Sequence, residues 1–242
     1  MLILLPPSET KADGGGGPPL DLDRLSYPQL TPVRRKLADA VTELAADEAA
    51  SLAVLKLSER QTDEVQRNRR LWQSPTMPAL ARYTGVLYDA LDLRGLRRSQ
   101  RDRAASRLAV ASALFGVVRG ADPIPAYRLS GGTVVPSVGA LPRLWRPVLE
   151  PVLAGADELV LDLRSGPYAA LAKLRHAMAV TVVDAERRLA ISHFNKAYKG
   201  RLARVLATVP REPTGIRAVI RTAEKAGLRL EQVADRTLHL VV

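Results

Sequence analysis

Ala177-Met178-Ala179-Val180-Thr181-Val182-Val183-Asp184 runs through Ala185-Glu186 into Arg187-Arg188-Leu189-Ala190-Ile191-Ser192-His193. Two apolar, partly β-branched runs joined by two residues read as a hairpin. Residues 228–233 and 237–242 repeat the pattern at the end of the chain. Further back, Met1-Leu2-Ile3-Leu4-Leu5 stops at Pro6-Pro7 and reads as a buried strand. Residues 108–118 hold another, with turns at Gly116 and Gly120-Ala121-Asp122-Pro123, and residues 158–163 a third. Between them lie helical patterns. Thr31-Pro32 opens one of about 20 residues, Ser58 caps another running to Trp72, and residues 78–91 form a third. Ser99-Gln100-Arg101-Asp102 reads as a capping box for the next. Residues 141–153 read as helical despite three prolines, and residues 196–209 and 214–226 follow. Strands and helices alternate irregularly, with hairpins in the second half. The expected class is therefore α+β: a mixed sheet with surrounding helices in a single domain spanning residues 1–242. Residues 6–31, with Gly14-Gly15-Gly16-Gly17, read as a flexible connection.

Composition narrows the chemistry. The 242 residues contain no cysteine, which excludes disulfides, thiolate metal sites, cysteine nucleophiles and thiol sensors. The N-terminus lacks the leading basic residues of a signal peptide, and no uncharged apolar run approaches about 18 residues. No membrane segment is expected, and the chain reads as cytoplasmic. Lys and Arg total 36 against 25 Asp and Glu, for a net charge of +11. That balance points to a polyanionic partner. Because 29 of the 36 are arginine, GC-rich coding bias accounts for part of it.

No metal site is expected: His176, His193 and His239 have no partner at ligand spacing. Neither a P-loop, a G-x-G-x-x-G fingerprint nor a nucleophile elbow is present, and no cofactor is implied. Four segments nevertheless carry more polar chemistry than scaffold needs. Pro6-Pro7-Ser8-Glu9-Thr10-Lys11 follows a buried strand, where open sheets build ligand sites. Arg119 and Arg128 flank glycine-containing backbone suited to anionic oxygens. Asp162-Leu163-Arg164-Ser165-Gly166-Pro167-Tyr168 leads from a strand into a helix start. Lys196, Lys199 and Arg204 fall on one helical face, above Leu202, Val205, Leu206 and Val209. The alternatives for each are a solvated loop, a turn, an ordinary cap and a solvated helix face.

Together and in this order the segments resemble the YaaA family of peroxide stress proteins. The family's S-P-A-K-T-L meets Pro6 to Lys11 here, and its Y-x-G-x-x-Y-x-x-L meets Tyr83 to Leu91. Its S-G-L-Y-G-x-L-R-P-x-D and Y-R-L elements meet Ser112 to Asp122 and Tyr127-Arg128-Leu129. N-L-A-S-x-E-Y meets Asp162 to Tyr168, and a late K-x-x-R-G meets Lys196, Lys199 and Gly200. Three positions depart: the family's Lys is Glu9, its Asn is Asp162, and its Glu before Tyr is Pro167, as in a divergent branch. The resemblance implies a positively charged cleft, a helix-hairpin-helix element, DNA binding and a role in limiting peroxide and iron damage. The hairpin element maps to residues 78–108, turning at Leu93-Arg94-Gly95-Leu96. Arg94, Gly95, Arg97, Arg98, Arg101 and Arg103 are its expected phosphate contacts.

Three readings follow, of which the third is a small-ligand-binding protein without turnover. In the first, the protein binds DNA through its backbone, without sequence preference. In the second, it is an enzyme acting on a nucleotide or another phosphorylated small molecule in a shared cleft. There Glu9 and Asp162 are the candidate catalytic bases, and Thr10, Arg119, Arg128, Arg164, Ser165, Tyr168, Lys196, Lys199 and Arg204 hold the anion.

Overall fold

In the computed structural model, which describes residues 1–155, 157–164, 166–186, 189–190 and 195–242, β1 (Leu2–Leu5) lies at the heart of a seven-stranded sheet. Its four side chains are fully buried, as expected of an unbroken apolar run covered on both faces. On one side β1 pairs in parallel with β2 (Leu108–Ser112), which turns back into antiparallel β3 (Gly116–Arg119). On the other side it pairs in parallel with β4 (Val160–Asp162), followed by parallel β5 (Met178–Val183). β6 (Arg229–Ala234) and β7 (Thr237–Val241) form the closing hairpin, with β7 parallel to β5. The strand order is β6-β7-β5-β4-β1-β2-β3.

Five adjacent strands thus run parallel, and the architecture is α/β with antiparallel edges, not the α+β expected from the hairpins. The decisive segment is residues 177–184. β5 takes parallel neighbours on both sides, so the return segment is left with the bridge from Val183 to Ala190 among the described residues. Residues 187–188 and 191–194 of that expected strand lie outside the described residues. The mixed sheet itself and the terminal hairpin agree with the sequence reading.

Helices α1 (Thr31–Leu44), α2 (Glu48–Leu55), α3 (Thr62–Arg69), α4 (Ala79–Arg82), α5 (Val86–Leu91) and α6 (Arg98–Arg107) all fall between β1 and β2. The long helix expected from Thr31 divides because the Asp47 carboxylate accepts from the Ala50 N–H and starts α2 afresh. The helix expected over 78–91 breaks at Tyr83–Gly85. α7 (Leu141–Ala154) buries Leu141, Trp145, Leu149 and Leu153 along one stripe, while Pro147 and Pro151 sit on the exposed side. There the carbonyls that lose a partner face water. α8 (Pro167–Ala170), α9 (Asn195–Thr208) and α10 (Ile216–Lys225) complete the chain. The tetraglycine segment is tied down: the Gly17 N–H donates to Thr76 O and Arg82 donates to Gly14 O.

The β3 edge is closed by one side chain. Arg34 of α1 is fully buried and donates to the Phe115, Val117 and Ser26 carbonyls. This ties the edge strand at Val117 to the Phe115 turn before it and to the Ser26 loop. Arg34→Leu is expected to lower unfolding free energy by about 3 kcal/mol in a urea titration. A loss below about 0.5 kcal/mol would show that water replaces the guanidinium.

Candidate functional site

Beyond its C-terminal end, β1 leads towards β2, whereas β4 leads towards β5 on the opposite side. Strand order reverses there, and the diverging loops leave a crevice at the position where open parallel sheets bind ligands. The β1 exit loop reaches it through Pro6-Pro7, whose Pro6 carbonyl accepts from Tyr88 Oη at 2.9 Å. Two buried cations then fix the loop from below. Lys11 donates to Ser8 O and Glu9 O at 3.1 and 3.3 Å. Arg82, also fully buried, donates to the carbonyls of Ala12, Gly14, Pro75 and Ile124.

Glu9 projects from this loop across the crevice. Tyr168 donates to its Oε1 at 3.2 Å, and Arg128 Nη1 lies 3.6 Å from its Oε2. Asn68 of α3 holds the Arg128 backbone at both its N–H and its carbonyl, each at 2.8 Å. Three segments remote in sequence therefore converge on one carboxylate. Beneath them Tyr83, Tyr127 and Ser112 form a chain of hydroxyls with two 2.8 Å links. The Lys11 ammonium lies 4.2 Å from the Tyr127 ring centroid and 5.4 Å from that of Tyr83. Burial pushes the Tyr83 phenol up to about 12, and burial also raises Tyr127 and Tyr168. These phenols remain protonated donors at neutral pH.

Other expected site residues serve different ends. Asp162 is gripped by Arg164, whose backbone N–H and guanidinium donate to both carboxylate oxygens at 2.8 to 3.0 Å. Arg164 also reaches Tyr168 O and Ala172 O and is itself buried. This pair shapes the loop after β4 and leaves Glu9 as the carboxylate facing the crevice. Lys199 is buried and donates to Leu163 O at 2.9 Å. Burial lowers its pKa, opposed by the nearby Asp162. Lys196 is exposed at the crevice rim beside Ser8, Glu9 and Thr10. Arg204 binds Leu91 O, Asp92 O and the Asp92 carboxylate, so the expected common basic face of α9 does not exist. Arg119 lies at the opposite edge of the sheet. Because β3 runs antiparallel, Gly116 faces the crevice end and Arg119 pairs with Ala109 at the other, held by Ser106 O and Glu158. Ser165 lies outside the described residues.

In the segment expected to form the hairpin, α5, a 3₁₀ turn over Leu93–Gly95 and α6 follow one another, and two N–H groups at the turn and the start of α6 are capped by side chains. The Gly95 N–H donates to the Asp92 carboxylate, and the Arg97 N–H to the Gln100 side chain. Gln100 caps α6 in place of the box expected at residues 99–102. Arg103 is bound to Thr208 O and Arg101 Nε donates to Leu96 O at 3.0 Å, and Arg94, Arg97, Arg98 and Arg101 are exposed.

Lys11, Tyr83, Tyr127, Ser112 and Asn68 are the residues that sequence reasoning did not assign to the site. The signal for Lys11 was a charge six residues beyond a fully apolar strand, too close to the core to escape burial. Burial lowers its pKa to about 7, against opposing pulls from Glu9 and Glu64. The unfolded chain keeps the ordinary value of 10.5. Between pH 7 and 10 the unfolded state therefore holds a proton that the native state has released, and native stability rises with pH by up to about 1.4 kcal/mol per unit. Lys11→Met is expected to remove this component from urea unfolding curves recorded between pH 7 and 9. Equal pH slopes in the two proteins would mean that the native amine stays charged.

Comparison with known proteins agrees with the motif order. The family model described as Peroxide stress protein YaaA matches residues 1–231. A UPF0246 protein of Corynebacterium efficiens is 50% identical over the full length of both chains. One from Streptomyces coelicolor is 44% identical, covering 97% of this chain and 93% of its own. With the family model matching nearly the whole chain and relatives of 44 to 50% identity over nearly full length, this protein belongs to the YaaA peroxide stress protein family.

Proposed function

We propose that this YaaA-family protein binds the DNA backbone without sequence preference, through guanidinium groups around the start of α6, and so limits peroxide and iron damage to DNA. The observation that carries the reading is the exposure of Arg94, Arg97, Arg98 and Arg101 within eight positions. Arg98 and Arg101 lie one turn apart on α6, so their side chains share a face. Planar guanidinium forks match phosphate oxygens and hold their charge at any physiological pH. A net charge of +11 adds long-range attraction. The reading invokes no base contacts, because arginines on phosphates position a protein without reading sequence.

The test is a binding titration on two unrelated duplexes over a range of salt. Each neutralised phosphate contributes roughly 0.9 to the log–log slope. Replacing Arg94, Arg97, Arg98 and Arg101 by Gln should lower that slope by about 3 to 4, with the far-ultraviolet circular dichroism unchanged. Absence of binding at about 50 mM salt, or equal slopes for the two proteins, would overturn the reading.

A further inference from the structure

The arginine face leaves one large feature unused. Two cavities of about 280 and 620 Å³ share Thr84 and Tyr88 as common walls. They adjoin each other beside the β1 exit loop, and together they reach the size range of small-molecule sites. The two ends of the pair differ in chemistry. The smaller end gathers three hydroxyls: Ser8 Oγ lies 3.0 Å from Thr10 Oγ1, and Thr84 Oγ1 donates to Thr10 Oγ1 at 3.1 Å. Lys196 closes this end. Gly85 holds φ +95°, and a Cβ there would stand 3.3 Å from Ser8 Oγ and 3.4 Å from Thr10 Oγ1. The glycine keeps open the space above the hydroxyls. The larger end is walled by Met77, Leu80, Tyr83 and Leu93, with Asp89 and Asp92 among its polar groups.

We infer that this pair of cavities binds a free nucleoside monophosphate, with its phosphate among Ser8, Thr10, Thr84 and Lys196 and its nucleoside along the larger cavity towards Asp89. Hydroxyl donors and an ammonium suit phosphate oxygens. An apolar wall suits a base, and an exposed carboxylate accepts hydrogen bonds from ribose hydroxyls or from base N–H groups. Asp13, Asp89 and Asp92 line the larger cavity together with Arg94, and Asp13 pairs with Arg67 and Asp92 with Arg204, so this end carries little net charge and suits an uncharged nucleoside. Glu9 also lines the smaller end, where Arg128 and Tyr168 hold its carboxylate, so a ligand with its charge at that end alone fits this polarity. The inference is distinguished from DNA binding by Arg97, Arg98 and Arg101, which lie outside the lining of both cavities, whereas Arg94 lines the larger one.

The experiment is isothermal titration of the full chain with AMP, GMP, CMP and UMP, with the matching nucleosides, and with inorganic phosphate. At least one nucleotide is expected to bind more tightly than about 1 mM, and at least about tenfold more tightly than its nucleoside or phosphate alone. Thr84→Val and Lys196→Gln should each weaken it by about tenfold, the loss of one good hydrogen bond. Arg97→Gln/Arg98→Gln/Arg101→Gln should leave it unchanged while weakening DNA binding. The inference is overturned if no nucleotide binds, if phosphate binds as well as the nucleotides, or if binding follows the arginines and ignores Thr84 and Lys196. Gly85→Ala supplies an independent check by filling the space above the hydroxyls. A Gly85→Ala protein that keeps the native melting temperature and full nucleotide affinity would overturn it too.

Discussion

Everything at the crevice depends on the burial of Lys11 six residues beyond the central strand. A lysine so placed cannot reach water without pulling the β1 exit loop off the sheet, so its protons are satisfied internally by Ser8 O and Glu9 O, over the faces of Tyr83 and Tyr127. Arg82 does the same for the next stretch by donating to Ala12 O and Gly14 O. Burying charge without a direct carboxylate partner is costly: carbonyl dipoles surround the Arg82 guanidinium, whereas the burial of Lys11 lowers its pKa to about 7. The return is a loop of fixed shape, with Glu9 on one side of it and the Ser8 and Thr10 hydroxyls on the other.

That fixed loop divides the crevice into regions of different charge. On one side Glu9 is held by Arg128 and Tyr168, and Asp162 by Arg164. These pairs neutralise one another, so the region is polar without a large net field. At the far edge of the sheet Arg107, Arg119, Glu158, Glu212 and the Met1 ammonium form a second internal network. Much of the charge is therefore engaged in holding segments together. What remains for an outside partner is local, above all the arginines at the start of α6, and net charge alone did not reveal where it lay.

The sequence made some parts plain and hid others for definable reasons. The unalternating Leu2–Leu5, the amphipathic stripe of α7 and the closing hairpin were legible because each follows from local periodicity. The parallel neighbours of β5 were not, since a run such as Ala-Val-Thr-Val-Val suits either pairing and its partners come from residues 160 and 237. Arg119 was assigned to the site because Arg and Gly stood together in a family motif, yet strand direction carried it to the other edge. Likewise the Lys199-Gly200 pair is structural: a Cβ on Gly200 would meet the Leu87 carbonyl at 2.2 Å, so the glycine is what lets α9 lie against α5. Convergence of Glu9, Arg128 and Tyr168 was foreseeable only from the motif order.

Helix α5 ties these observations into one mechanical unit. Its first turn begins at Gly85, beside the Ser8 and Thr10 hydroxyls, and its last residue leads into Asp92, whose carboxylate caps the turn carrying Arg94. Six residues are too few to hold a helix by themselves. The helix is fixed by α9, through the close approach at Gly200 and through Arg204, which donates to Leu91 O and Asp92 O. The paired cavities and the arginine face thus hang from opposite ends of one short helix clamped by one neighbour. Conserving their relative position requires the α5–α9 contact, which is why the late basic motif belongs with the early loop even though Lys199 and Arg204 face inward.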